Sequence, residues 1–454
     1  MNKLYILGCL GCILLTACED LVEVTDPTNQ MGTKQVFEDE RTANSSLAGL
    51  YAPLRDGSVI SGADYYSACT LLGAYSDDLE CFTNDQNSSM DIYRNQPLST
   101  NSLIAVLWNT AYKQIYYANS IIYGADQSVK LSTPDKDRIK GEALVVRSLI
   151  YYYLQQLFGD VPYTTSLNYE YNRTIGKTDA ADLVEQLEVD LKEAVGLLTD
   201  DYRNAERIYP NRKVAQLLLA KVYLLRENWP MAEETAEDIL SSPLYDFEPD
   251  INAVFLKGGR HILWQLKPQN SGDPTKEATF YYFEGAAPHA FALTEDLVAT
   301  FSDADLRKQS WMQEVTFNEE SWFRPYKYKN RSNNTNEYSV VFRLAGAYFI
   351  IAEALARQDR FVEALPFLNA TRERAGLNGL SDLSGQDFFE ALGAEKRREF
   401  FTEGGQRFMD LKRWRRLGDL SAQKTNWEAH NHVWPLPQGE MLLNPNLKPQ
   451  NQGY

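Results

Sequence analysis

The chain has 454 residues, of which 62 are acidic and 45 are basic, and its formal net charge at pH 7 is −17. This charge argues against nucleic-acid binding, which needs a basic face to neutralise phosphates, and against electrostatic attachment to anionic lipids. The length and the 44% share of hydrophobic residues are sufficient for a large packed core.

The N-terminus has the layout of a secretory signal peptide. Lys3 precedes an apolar stretch over 4–15, and two small residues lie directly before Cys18. The apolar stretch is too short to cross a bilayer, which needs roughly 20 residues. We therefore predict a signal peptide over 1–17 and a mature chain that begins at Cys18.

The segment LTAC at 15–18 resembles the lipobox of bacterial lipoproteins. This resemblance implies that Cys18 is the lipid attachment site, with fatty acids such as palmitate, and several acyl chains together give stable membrane anchoring. Glu19 and Asp20 resemble the acidic signal that directs some Bacteroidetes lipoproteins to the cell surface. We expect a protein anchored in the outer membrane, facing the exterior, with residues 18–40 as an extended tether.

Helical periodicity dominates the chain after the tether. Apolar residues recur three and four positions apart over 104–123, 139–158 and 182–198, as an amphipathic helix requires. The second of these patterns stops at Gly159, and Pro162 follows, which is typical of a helix end. These segments predict a mostly α-helical fold.

Two later segments share a paired-helix repeat in which small residues allow two antiparallel helices to approach closely. The matched positions are Ala220, Tyr223, Ala232 and Ala236 in the first segment, and Ala352, Leu355, Ala364 and Leu368 in the second. This spacing is typical of tetratricopeptide repeats.

Residues 245–339 interrupt this helical pattern with Gly, Pro, Asn and aromatic residues. HILWQL at 261–266 predicts a short strand, whereas 278–291 and 321–339 have the composition of aromatic loops or irregular hairpins. Long insertions of this kind usually carry function, so we predict that this segment binds the ligand.

Several stretches, in chain order, resemble the SusD/RagB family of outer-membrane nutrient-binding lipoproteins. They are TANSSLAGLYAPLRDG at 42–57, GAYSDDLE at 73–80, LWNTAYKQIYYANSII at 107–122, GEALVVRSLIYYYLQQLFGDVPY at 141–163, EKRREFFTEGGQRFMDLKRW at 395–414 and WPLPQGEMLLNPNLKPQNQGY at 434–454. The resemblance covers nearly the whole chain. Gly405 departs from the usual Glu-Gly-x-Arg spacing as an extra residue, which we expect to reshape a helix junction.

The resemblance implies one SusD-like domain over 41–454, with tetratricopeptide-type helix pairs packed against an irregular ligand-binding half. The helical scaffold is expected over 41–244 and 340–454, and the ligand-binding insertion over 245–339. The family is not enzymatic. Its members capture oligosaccharides, or peptides in some cases, and pass them to a SusC-like TonB-dependent transporter in the outer membrane.

Glycan binding needs aromatic rings that stack on the C–H faces of sugars, and polar groups that satisfy the hydroxyls. We predict ligand contacts at Trp311, Trp322 and Tyr326 as platforms, with Arg324, Lys327 and Asn330 as polar partners, then at Tyr281, Tyr282 and Phe283, and at Tyr66, Tyr75 and Asp77, whose region often meets this surface in the family.

No cofactor is expected. The acids Asp77, Asp78, Glu80 and Asp85 supply oxygen atoms of the kind that Ca²⁺ prefers, but their spacing matches no standard calcium loop. We interpret them as solvated turn acids, some of which satisfy helix N-termini.

Cys69 and Cys81 remain in the mature chain after Cys18, and two alternatives stay open for them. They form a disulfide outside the cytoplasm, or they are two free thiols, since spacing alone does not give their separation.

Two other functional classes stay open as well. A helical glycoside hydrolase would need two carboxylates at a defined distance across a cleft, and 62 acids always offer a pair. An outer-membrane assembly scaffold would face the periplasm and would not need the aromatic loops at 278–339.

Overall fold

The computed structural model describes residues 33–454, so the predicted signal peptide and the predicted lipid attachment at Cys18 lie outside the described residues. The described end of the predicted tether is not extended, since it forms a short helix at Thr33–Val36. The side chain of Phe37 is buried, and its carbonyl oxygen accepts a hydrogen bond from Ser128 Oγ at 2.6 Å. This part of the predicted tether therefore packs on the fold.

The chain from residue 33 to residue 240 is mainly helical. Its helices are α1 (Thr33–Val36), α2 (Glu40–Gly57), α3 (Ala68–Tyr75), α4 (Ser88–Tyr93), α5 (Ser102–Gln127), α6 (Thr133–Phe158), α7 (Tyr169–Asn172), α8 (Ala180–Leu197), α9 (Arg212–Leu225) and α10 (Trp229–Leu240). The predicted helices over 104–123, 139–158 and 182–198 are confirmed as α5, α6 and α8.

Local sequence explains where these helices begin and end. Asn101, Ser132 and Asp179 precede α5, α6 and α8, and their side chains accept hydrogen bonds from the first backbone N–H groups of each helix. Helix α6 ends at Phe158, and the φ of 72° at the following Gly159 lies in the left-handed region that favours glycine. The helix ends are therefore encoded next to the apolar pattern.

The C-terminal part returns to helices after residue 344. They are α14 (Ala345–Ala356), α15 (Phe361–Arg374), α16 (Gly385–Phe400), α17 (Gln406–Arg413) and α18 (Gln438–Leu443), with short 3₁₀ helices at Leu417–Ala422, Ala429–His432 and Pro445–Leu447. Gly405 lies at the junction between α16 and α17 with a φ of 68°, and a Cβ atom there would meet the Leu72 side chain at 2.4 Å. The residue that departs from the family spacing therefore needs to be glycine.

The long helices pack on one another in series. Helices α5, α6, α8, α9, α10, α14, α15 and α16 each contact the next one in that order. All eight positions of the predicted paired-helix repeat lie in α9, α10, α14 and α15 and are at most 1% exposed. They form part of the larger hydrophobic core, which consists mainly of helical residues. Across the described part of the chain, every helix is too short or too polar to span a bilayer.

The segment between α10 and α14 forms a loop-rich half that contains most of the strands. Its helices are α11 (Lys276–Phe280), α12 (Glu295–Ala299) and α13 (Leu306–Ser310), and the strands of the described chain are β1 (Leu79–Cys81), β2 (Ile262–Leu266), β3 (Phe291–Leu293), β4 (Met312–Phe317), β5 (Glu320–Pro325) and β6 (Ser339–Arg343). The predicted strand at 261–266 is confirmed as β2.

The strands form two antiparallel sheets. One has the order β1-β3-β5-β4, and the other pairs β2 with β6. Strand β1 belongs to the earlier part of the chain, so the loop-rich half is built partly from residues before 245. A second hydrophobic core lies here, around Trp311, Phe255 and Phe291.

Buried ion pairs join the two halves at helix α16. Glu399 accepts from Arg343 at the end of β6 at 2.5 Å and also from Arg374 on α15. Arg307 on α13 bonds Glu395 at 2.6 Å and Glu399 at 3.2 Å, and these side chains are almost wholly buried. Burial alone would raise the pKa of Glu399, but the three arginines lower it well below its usual range.

Cys69 and Cys81 are free and buried, so the structure supports the free-thiol alternative. Burial raises the pKa of the Cys69 thiol to about 12, and its sulfur accepts a hydrogen bond from the Gly404 N–H at 3.1 Å.

Replacing Glu399 with Gln tests the buried network. Arg374 has no other carboxylate partner among residues 33–454, so the E399Q variant leaves its charge buried and unpaired. We expect a loss of about 3 kcal/mol in the free energy of unfolding, measured by urea denaturation. The matched control is E390Q on the exposed side of the same helix, with an expected change below about 1 kcal/mol. Equal losses in the two variants would contradict the role given to Glu399.

Candidate functional site

An open cleft of about 480 Å³ lies in the loop-rich half, where the β4–β5 hairpin meets the loops that follow α11 and β5. Its lining residues are Tyr282, Glu284, Gly285, Gln313, Glu314, Val315, Thr316, Arg324, Tyr326, Lys329 and Arg331. Aromatic rings and charged groups of both signs therefore surround one concave surface.

The hairpin geometry explains why these side chains converge. In the antiparallel register Gln313 lies opposite Arg324, and Val315 lies opposite Trp322. Side chains of directly opposed residues share a face of the sheet, as do residues two apart on one strand. The turn passes through Asn318 and Glu319, both with positive φ. Trp322 and Arg324 therefore extend the same face of the hairpin.

Arg324 is one of the residues that line the cleft. Its guanidinium carbon lies 4.5 Å from the centroid of the Tyr282 ring and 5.0 Å from that of Tyr326. The residue is 8% exposed, and its Nε atom has no hydrogen-bond partner. Burial lowers the pKa of Arg324. Two aromatic rings thus flank a buried cation.

Further contacts order the rim of the cleft. The guanidinium of Arg331 stacks on the Tyr282 ring, 3.1 Å from its centroid, and Lys329 Nζ lies 5.2 Å from the centroid of Tyr326. The Tyr282 hydroxyl donates a hydrogen bond to the Glu284 carboxylate, which raises the pKa of Tyr282. This arrangement can offer both cationic donors and aromatic surface to a ligand.

Of the predicted ligand residues, Tyr282, Arg324 and Tyr326 are brought together in this cleft. Trp322 lies beside them, half-buried, with its ring edge-to-face against Phe82 at 6.5 Å between centroids. Asn330 does not line the cleft, and its side-chain amide donates a hydrogen bond to Asn336 Oδ1 at 2.6 Å.

Four other predicted residues of the loop-rich half are corrected by their burial. Trp311 is 1% exposed, packs on Phe255 and donates from its indole N–H to the Ile251 carbonyl oxygen at 3.0 Å. Tyr281 is 1% exposed and Phe283 is 4% exposed. Lys327 is buried, and its ammonium group donates to Glu403 at 2.6 Å. These side chains build the core beneath the cleft and present no open face to a ligand.

The predicted contacts from the earlier region do not line the cleft either. Tyr75 is fully buried, and its hydroxyl donates to the Asn431 carbonyl oxygen at 3.0 Å. Asp77 is buried and accepts from Arg407 at 2.8 and 2.9 Å. Tyr66 is 37% exposed, but it lies outside the lining of this cleft.

The acids considered for Ca²⁺ are mostly paired with arginine. Asp77 bonds Arg407 as above, Asp78 bonds Arg397 at 3.0 Å, and Asp85 bonds Arg94 at 2.6 Å. Asp77 and Asp78 are buried, which corrects their interpretation as solvated turn acids. Within residues 33–454, no group of metal-ligating side chains has the arrangement of a metal site.

The ligand contacts predicted from the sequence do not include several residues that line the cleft, namely Gln313, Glu314, Thr316, Lys329 and Arg331. In MQEVTF over 312–317 the polar residues Gln313 and Glu314 are adjacent, so the strand has no strict alternation that would have identified these residues. Lys329 and Arg331 carry no periodic signal, because they lie in an irregular loop.

A second, larger cleft of about 740 Å³ lies between α5, the α6–α7 connection and α18. Trp108, Tyr112, Tyr116, Tyr169 and Leu443 contribute to its lining. Its three asparagine side chains donate to backbone carbonyl oxygens of the fold. We place the candidate site in the smaller cleft, where cationic donors remain without ion-pair partners.

Two family models match this chain, and similar proteins match it over nearly its whole length. A family model described as "Starch-binding associating with outer membrane" matches residues 25–224, and the SusD family model matches residues 267–433. SusD-like protein P25 of Formosa agariphila is 23% identical to this chain, over 96% of this chain and 97% of the relative. SusD-like protein P2 of the same organism is 24% identical over the whole of both chains.

Solved structures show the same fold. A SusD superfamily protein from Bacteroides vulgatus superposes with a TM-score of 0.79 at 22% identity, covering 92% of this chain and all of the other. Surface glycan-binding protein A from Bacteroides thetaiotaomicron, in complex with laminarihexaose, superposes with a TM-score of 0.75 at 18% identity, covering 90% and 99% of the two chains.

Replacing Trp311 with Ala distinguishes a core residue from a ligand platform. We expect the W311A variant to lose about 3–5 kcal/mol of unfolding free energy, because a fully buried indole and its hydrogen bond are removed. Thermal or urea denaturation measures this loss. The exposed-residue control Y66A should change stability by less than about 1 kcal/mol. A W311A variant as stable as wild type would show that the indole is not part of the core.

Proposed function

Because the chain belongs to the SusD/RagB family, we propose that it binds oligosaccharides in the 480 Å³ cleft and delivers them to a SusC-like TonB-dependent transporter. The family makes the chain a carbohydrate-binding protein associated with the outer membrane, and not an enzyme.

The observation that carries the ligand site is the meeting of aromatic rings with unpaired polar groups in one cleft. Tyr326 lines the cleft, and Trp322 extends the same face of the hairpin, so both are suited to stack on the C–H face of a sugar ring. Gln313, Glu314 and Lys329 are exposed at its edge and can satisfy sugar hydroxyls. The Arg331 guanidinium covers the Tyr282 ring at 3.1 Å from its centroid, so the role of Tyr282 is to position Arg331 and Arg324.

A similar protein in complex with laminarihexaose supports a glycan rather than a peptide as the ligand class. Peptide binding remains the alternative within the family. A combined array of oligosaccharides and peptides, probed with the purified full-length protein, separates the two classes. Binding to peptides alone would replace the glycan assignment.

The anchor and the partner follow from the N-terminal sequence and the family. We propose that Cys18 carries the lipid and that the mature chain faces the exterior of the outer membrane. Externally added protease on intact cells should degrade the protein, and a C18A variant should no longer fractionate with membranes. The delivery role requires that a TonB-dependent barrel co-purifies with the wild-type protein from solubilised outer membranes. Persistent recovery without any barrel would contradict that role.

Alanine substitutions at Tyr326 and Trp322 test the site itself. We expect each variant to bind its oligosaccharide at least tenfold more weakly by isothermal titration calorimetry, because each loses an aromatic stacking surface. The matched control is Y123A, an exposed tyrosine on helix α5 far along the chain from the hairpin. Unchanged affinity in both Y326A and W322A would remove the cleft as the binding site. Glycan chains recovered shorter after incubation would indicate hydrolysis instead of binding.

A further inference from the structure

Arg324 differs from the other buried arginines in having no ion-pair partner among the described residues. Six arginines are buried within residues 33–454. Five of them form ion pairs with carboxylates, and these are Arg147, Arg307, Arg343, Arg374 and Arg397. Arg324 has no ion-pair partner within 33–454, and its Nε atom is buried without a hydrogen bond.

An unpaired buried charge is costly, because a guanidinium removed from water loses its hydration without compensation. Arg324 bears this cost at the wall of the cleft, where a bound molecule can reach the group. The flanking rings of Tyr282 and Tyr326 offset part of the loss through cation–π contact. They leave the planar N–H donors without an anionic acceptor.

Two further cations line the same cleft. Lys329 and Arg331 are both exposed, and neither forms an ion pair with a described residue. The cleft also contains the carboxylates of Glu284 and Glu314, and neither of them pairs with any of the three cations. Glu284 instead accepts a hydrogen bond from Tyr282. Three cations and two carboxylates give this cleft a net positive charge, although the chain as a whole has a net charge of −17.

We propose that the oligosaccharide recognised by this cleft is anionic, and that a carboxylate or sulfate group on the sugar binds Arg324. The planar guanidinium presents parallel N–H donors that match two oxygens of such a group. Tyr326 stacks on the ring that carries the anion, while Lys329 and Arg331 contact it from the rim. The inference rests on the proposed function, because it assigns a charge to the glycan of that same site.

Matched pairs of ligands test this assignment on the purified full-length protein. One arm compares an oligogalacturonate with its methyl ester, and the other compares a sulfated galactan oligosaccharide with its desulfated form. We expect at least one anionic ligand to bind at least tenfold more tightly than its neutral counterpart. The arm that shows the preference identifies the anion as a carboxylate or a sulfate.

Variants connect the preference to Arg324. We expect R324Q to abolish the preference for the anionic ligand and R324K to retain part of it. The matched control is R173Q, which alters an exposed arginine in the lining of the other cleft and should leave the preference unchanged. K329Q and R331Q alter exposed side chains and should each reduce the preference about threefold without loss of folding. These two variants keep the test valid if R324Q does not fold.

Two results would overturn the inference, and they can be told apart. Neutral and anionic partners that bind equally, with affinity still lost in Y326A, would overturn the anionic assignment and leave the glycan site intact. Absence of binding to every oligosaccharide in the array would overturn the proposed function and this inference together.

Discussion

The buried ion pairs of helix α16 are the interaction on which the rest of the structure depends. Glu395 and Glu399 project from a helix of the scaffold and meet arginines carried by β6, α13 and α15. The loop-rich half has few long helices, and such segments position side chains less rigidly than packed helices do. Charged groups that are paired and hydrogen-bonded in a dry interior have one favourable arrangement, so they fix how the irregular half sits on the helical one.

The cleft is built directly on this network. Lys327 donates to Glu403 just beyond α16, and its ammonium group is also bonded to the Glu399 and Phe401 carbonyl oxygens. The Tyr326 N–H donates to the Trp311 carbonyl oxygen at 2.7 Å. Lys327 is thus anchored in the interior, while the neighbouring Tyr326 lines the cleft. The buried Trp311 thus supports the cleft residue Tyr326 through the backbone.

The buried arginines of this protein fall into two kinds, those with a carboxylate partner and Arg324, which has none among the described residues. Buried arginines of the scaffold have carboxylate partners within the chain, whereas Arg324 lies between two tyrosine rings without one. A folded chain gains stability by pairing its buried charges, so an unpaired one at an open cleft is better explained by recognition than by stability. The surrounding rings and exposed polar groups suit reversible binding of a flat, hydroxylated molecule.

Periodic features of this protein were determined by the sequence alone. The sequence alone predicts helices α5, α6 and α8, the buried positions of the paired helices and the strand β2. All of these follow from apolar spacing, because regular elements repeat their burial every two or 3.6 residues. Only the tertiary structure decided which side chains of the irregular segment face the cleft. Tyr281 is buried and Tyr282 lines the site, and Lys327 is an anchor while Lys329 is exposed. No local period distinguishes such neighbours, since their orientation is set by contacts with Glu403, Thr70 and other residues distant in the chain.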